Sequence, residues 1–147
     1  MKKLFSFLVL LVAAFVFTAC GNKDGKETID FGMLGPFTGA LSQYGEPSRK
    51  GVALAIEEIN KAGGILGKQV VLHAEDDEGD AQKALNAYNK LVDSIDFLIG
   101  EITSGNTEVI AAEAQKDGLP MLTPSATAAG ITLNRSFVFR VCFLDPD

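Results

Sequence analysis

Short apolar runs alternate with amphipathic stretches along most of this chain. Ile29–Leu34, Gln69–Ala74, Phe97–Gly100, Pro120–Leu122 and Phe137–Val141 read as strands. Phe97–Gly100 has no polar position, as strands buried on both faces of a parallel sheet tend not to. Between the first two runs, Pro47–Ala62 carries Val52, Ala55, Ile56 and Ile59 at spacings of three and four, which predicts a helix. Pro47 would stand in its first turn, where proline is tolerated, and Gly63-Gly64 would end it. Asp80 is placed to cap a second helix whose stripe is Ala81, Ala84, Leu85, Tyr88, Leu91 and Val92. Asn106–Lys116 is the third helix. Strands separated by helices require right-handed crossovers, so the pattern predicts an α/β fold with a doubly wound parallel sheet.

Ligands of such sheets bind beyond the carboxyl ends of the strands. The loops predicted at that edge are Gly35–Glu46, with Thr38, Ser42, Gln43 and Tyr44; Glu101–Gly105, with Thr103 and Ser104; and Thr123–Thr127. The last follows the apolar run Leu119–Leu122, sets hydroxyls at Thr123, Ser125 and Thr127, and is stiffened by Pro124. Hydroxyls and free backbone N–H groups at a strand exit suit a small carboxylate or phosphate. None of the three loops gathers bases, thiols or imidazoles. The composition is that of a binding site, and no catalytic residue is assigned.

Residues 1–19 follow a different rule. Lys2 and Lys3 precede the apolar run Leu4–Phe17, broken only by Ser6, and small residues follow. This is the order of a secretory signal peptide, and the run is short for a membrane span, which needs about 20 residues. Cys20 after Thr18-Ala19 resembles a bacterial lipobox, in which the leader is cut before the cysteine and its thiol carries lipid; Phe17 departs from the usual leucine. Gly21–Glu27 is polar and glycine-containing, so residues 20–27 read as a lipid-anchored tether and 28–147 as the folded unit. The expected location is the cell envelope, on the periplasmic side or the outer face of the cytoplasmic membrane. Acylation of Cys20 would leave Cys142 single, without a disulfide, as a small buried apolar residue near the last strand.

Charge and motifs exclude more than they suggest. The chain has 13 basic and 19 acidic residues among 147, a net charge of −6, which argues against a nucleic-acid partner. The spacing of Gly32, Gly35 and Gly39 is wrong for a dinucleotide loop, and Gly67-Lys68 lacks the rest of a phosphate loop. No cofactor is therefore expected. Asp76–Asp80 lacks the spaced ligands and distal glutamate of a calcium loop and reads as a solvated turn plus a helix cap, so no metal is assigned. His73, the single histidine, falls inside a strand and reads as structural.

An ordered series of short stretches is similar to the branched-chain amino-acid binding proteins of ABC transporters, a periplasmic binding protein type I family. The series runs Gly35-Pro36-Phe37-Thr38-Gly39, Gln43-Tyr44-Gly45, Gly51-Val52, Ile59–Ile65 with Gly67, Asp76-Asp77, Ile99-Gly100, Thr103-Ser104, Thr123–Thr127, and Phe139-Arg140 with Asp145. It covers about residues 28–147. The resemblance implies the first of two similar lobes that close on an amino acid such as leucine, isoleucine or valine. Ser104 resembles the serine that holds the ligand carboxylate. Thr127 matches a threonine at the ligand's charged backbone end. Ser125 stands where a main-chain carbonyl meets the ammonium, and Tyr44 matches a tyrosine lying over the ligand. The implied partner is a transporter permease, with membrane attachment through the lipid on Cys20.

Two departures stand out. A disulfide found in some relatives would join the positions of Gly79 and Thr103, and the chain stops at Asp147, where the family continues into a second lobe. The expectation is thus a first lobe alone, binding weakly or not at all. The alternatives are a ligand-sensing receptor domain of the same fold, or an α/β enzyme of flavodoxin-like or dinucleotide-binding type. The second is disfavoured by the missing phosphate motifs and catalytic bases.

Overall fold

The structure is a computed structural model and describes residues 26–145. The predicted leader, Cys20 and most of the tether lie outside the described residues. Five parallel strands, β1 (Thr28–Gly35), β2 (Gln69–Asp76), β3 (Phe97–Ile99), β4 (Met121–Thr123) and β5 (Val138–Arg140), form one sheet in the order β2-β1-β3-β4-β5. Three helices connect them: α1 (Ser42–Lys61), α2 (Ala81–Leu91) and α3 (Ser104–Asp117). A 3-10 turn over Ala129–Thr132, which no periodicity announced, precedes β5. The sheet is the doubly wound parallel one predicted, and its order reverses direction between β1 and β3. Among the described residues, no helix is long and apolar enough to cross a membrane.

The two faces of the sheet are covered unequally. Leu34, Leu98, Met121 and Val138 pack with Ala84, Ala87, Tyr88 and Leu91 of α2 and Ile110, Ala111 and Ala114 of α3 in one large cluster. Met33, Phe37 and Ile102 form a small second cluster, against which Val52 of α1 packs. Of the stripe expected on α1, only Ile56 is buried; Ala55 is exposed. Near the C-terminus of α1, Asn60 ties the helix to β2: its side chain accepts from Val70 N (2.7 Å) and donates to Val70 O (2.8 Å).

Several boundaries differ from those read off the sequence. Helix α1 begins at Ser42, so Pro47 stands in its second turn rather than its first, and Tyr44 is helical rather than part of a loop. Pro47 gives up one helical hydrogen bond. The first turn forms because Gly45 lets the helix touch the strand exit: a Cβ at position 45 would lie 2.2 Å from Pro36 O. Helix α3 begins at Ser104, two residues earlier than expected, and buries Asn106 and Thr107. Cys142 is half-buried rather than buried, with Sγ directed at Ala126 O (3.4 Å), and it is a free thiol.

Candidate functional site

The exits of β1, β3 and β4 meet at the carboxyl edge, beside the point where strand order reverses. A cavity of about 260 Å³ opens there, lined by Leu41, Tyr44, Ile102, Thr103, Ser104, Ser125 and Thr127. All four residues singled out from sequence, Tyr44, Ser104, Ser125 and Thr127, thus border one cavity. Its volume lies just under the range of about 300–1,000 Å³ usual for small-molecule pockets.

Each wall is fixed by identifiable bonds. Ser104 opens α3 after Thr103, the N-cap residue, whose backbone is extended (φ −93°, ψ 143°). The first-turn N–H groups of a helix have no intrahelical acceptors and carry the positive end of its dipole, so this corner favours an anion. Ser104 Oγ accepts from Ala128 N (3.3 Å), which ties it to the loop after β4. Its own O–H remains available to donate into the cavity. That loop is stitched down by its hydroxyls: Thr123 Oγ1 donates to Glu101 O (2.7 Å) and Ser125 Oγ to Ile102 O (2.6 Å). Arg140 of β5 donates to Ala126 O (3.3 Å) and Ala128 O (2.7 Å) from the other side. Ser125 therefore spends its hydroxyl proton on the scaffold. Thr127 Oγ1 donates to Asp145 Oδ2 (2.7 Å), and Asp145 N returns a bond to Thr127 O (3.1 Å). Tyr44, 57% exposed, forms the outer lip.

The acidic turn after β2 is only partly the solvated loop expected. Asp80 does cap α2, accepting from Lys83 N at 2.9 Å. Asp76, however, accepts from Phe37 N (2.8 Å), Thr38 N (3.3 Å), the Thr38 hydroxyl and Glu78 N (2.9 Å), binding the β1 loop to the β2 exit. Burial works to raise its carboxyl, but these donors outweigh it and hold it below the ordinary value. Asp77 and Glu101 are fully buried. Burial, then the neighbouring Asp77, pushes the Glu101 carboxyl up to about 8. Asp77 figures in the sequence only as part of the acidic turn and of the resemblance series, and Glu101 does not stand out. An acidic residue directly after a buried strand and before a hydroxyl pair is the only cue, and it is a common one. His73 pairs with Asp30 across neighbouring strands (Nε2 to Oδ1, 2.7 Å), away from the cavity. Among the described residues no group of three or more potential metal ligands occurs.

A parallel α/β lobe with a small cleft at its carboxyl edge, hydroxyl-lined and open to a helix N-terminus, has the form of a ligand-capturing domain. The chain belongs to the periplasmic binding protein family, whose model matches residues 28–143. It is 38% identical over 137 residues to the Leu/Ile/Val-binding protein BraC3 of Rhizobium johnstonii, covering 92% of this chain and 36% of that protein. It is 40% identical over 122 residues to the leucine-, isoleucine-, valine-, threonine- and alanine-binding protein of Pseudomonas aeruginosa, covering 81% and 32%. Among solved structures it is similar to the branched-chain amino acid transporter substrate-binding protein LivJ of Streptococcus pneumoniae, in complex with isoleucine. The TM-score is 0.77 and the identity 36%, over 80% of this chain and 34% of that one. The chain spans about a third of the length of these relatives. They are solute-binding proteins, not enzymes.

Proposed function

We propose that this chain is the first lobe of a solute-binding protein that presents a branched-chain or related amino acid to an ABC importer. The observation that carries the reading is the meeting of Tyr44, Ser104, Ser125 and Thr127 around one cavity beside the N-terminus of α3. In this reading, the Ser104 hydroxyl and the first N–H groups of α3 take the ligand carboxylate. The lone pairs of Thr127 Oγ1, the Ser125 main-chain carbonyl and the adjacent Asp145 carboxylate take the ammonium. Tyr44 covers the aliphatic side chain with its ring. The two poles suit a zwitterion. Export and acylation of Cys20 complete the proposal, placing the lobe at the cell envelope beside its permease.

The test is a leucine titration of the full chain followed by amide chemical shifts. Millimolar leucine is expected to move the signals of residues 102–106 and 125–128. Shifts confined to other parts of the sheet, or none at all, would sink the site. Labelling with a radioactive fatty acid is expected to mark the wild type and spare Cys20→Ala; equal labelling of both would reject the lipid anchor.

A further inference from the structure

Two carboxyl groups lie at 0% exposure behind the cavity, with no salt bridge to either among the described residues. Asp77 follows β2, and Glu101 lies two residues beyond β3. One oxygen of each is well supplied. Asp77 Oδ1 accepts from Gly79 N at 2.7 Å. Glu101 Oε2 accepts from Ile102 N (2.9 Å), Thr103 N (3.1 Å) and Thr103 Oγ1 (3.2 Å). The other oxygens, Asp77 Oδ2 and Glu101 Oε1, are buried and have no donor, although the two side chains lie within hydrogen-bonding reach of each other. Two ionised carboxylates in that position would each carry a desolvation penalty and repel one another. A single proton removes the repulsion and satisfies both orphan oxygens.

We propose that Glu101 holds a proton at Oε1 and donates it to Asp77 Oδ2, pinning the exit of β2 to that of β3. Glu101 is then a positioning residue. Its carboxyl grips the backbone of Ile102 and Thr103 with one oxygen and the β2 turn with the other, which sets where α3 begins. The other charged groups nearby are occupied elsewhere. Asp76 faces the β1 loop, Glu78 pairs with Lys83, and Asp80 caps α2. From α3 and β4, the uncharged Thr107 and Thr123 donate to the backbone carbonyls of Thr103 and Glu101.

A carboxyl raised from 4.5 to about 8 keeps its stabilising contribution in full below pH 4.5. That contribution is lost as pH climbs toward 8. The experiment needs no ligand, so its outcome is separate from that of the amino-acid reading. In the full chain labelled at glutamate carboxyl carbons, the Glu101 signal is expected to titrate well above the other glutamates. Titration within the ordinary glutamate range would overturn the proposal. In parallel, unfolding is followed from pH 5 to pH 8 in wild type, Glu101→Gln and Glu101→Ala. Glutamine can donate to Asp77 and still accept from Ile102 and Thr103, so it should preserve the fold. It should also abolish the decline in the folding constant, which approaches about tenfold per pH unit in wild type. A Glu101→Gln protein with the wild-type pH slope, or one as destabilised as Glu101→Ala, would refute the shared proton. Should Glu101→Ala fail to fold, the carboxyl titration and the glutamine variant decide the matter.

Discussion

The two edges of this sheet carry cavities of opposite character, and the larger is not the better candidate. At the amino edge, Val92, Asp93, Asp96, Asp117, Gly118, Leu119 and Pro120 line about 530 Å³, twice the volume at the carboxyl edge. Right-handed crossovers send every helix back with its C-terminus toward the amino ends of the strands. Helices α2 and α3 therefore end at this larger cavity and bring carbonyl oxygens and the negative ends of their dipoles to three aspartates. A carboxylate ligand is repelled there. Two of the aspartates also hold the scaffold: Asp96 accepts from Lys26 Nζ and Asp30 N (both 2.8 Å), and Asp117 from the Tyr88 hydroxyl (2.9 Å). The carboxyl edge offers the reverse, a helix N-terminus and hydroxyls. One winding rule produces both edges, and donor chemistry rather than volume separates them.

The harshest way to break the carboxyl edge is at Gly100. Its φ of +113° lies in the left-handed region, and an added Cβ would stand 2.3 Å from Leu34 O. Backbone meets backbone there, so β1 and β3 would have to separate. Gly100→Ala is expected to cost about 3 kcal/mol or more and to leave little folded protein in a thermal or urea melt. A variant melting within a few degrees of wild type would show that the junction yields. The next effect is on binding. Ser104→Ala removes the hydroxyl beside the α3 N-terminus and should weaken leucine about tenfold, whereas Asp93→Asn at the amino edge should leave affinity unchanged. Equal responses from the two edges would erase the distinction between them. At the amino edge itself, Tyr88→Phe deletes the bond to Asp117 and should lower stability by about 1 kcal/mol.

The contrast between the edges was only half legible in the sequence. Alternating apolar runs and helical stripes identify a parallel sheet, and a parallel sheet places Ser104 and Thr127 at the same edge whatever the loops do. Local signals placed the start of α2 at its Asp80 cap but misplaced those of α1 and α3. Proline is commonest in a first turn, but Pro47 was displaced by the packing of Gly45 on Pro36. Ser104-Gly105-Asn106 are indifferent helix formers, yet α3 starts there because the Glu101 carboxyl holds the preceding backbone. The burial of Asp77 and Glu101 depends on β2 and β3 leaving the sheet close together, one strand apart, which no local window contains. The same holds for Arg140, whose partners Ala126 and Ala128 belong to a different strand's loop.

The smallest effect tests whether the edges also differ in their response to pH. Asp30, near the amino end of β1, is held at about 2 from an ordinary 3.8, first by the hydrogen bond to His73 and then by Lys26 and Thr28. A depressed carboxyl stabilises above its unfolded value, and this contribution is lost as pH falls from 3.8 toward 2. Since 39% of the His73 side chain is exposed, solvent screening limits the effect to less than about 1 kcal/mol. Glu101 has the opposite sign: its contribution erodes as pH rises from 4.5 toward 8. Unfolding free energies of wild type and Asp30→Asn should therefore converge as pH falls toward 2 and separate slightly above pH 4, while Glu101→Gln should diverge from wild type steadily as pH rises from about 4.5 to about 8. An Asp30→Asn curve parallel to wild type throughout would mean that the His73 pair adds nothing. The pH asymmetry between the edges would then rest on Glu101 alone.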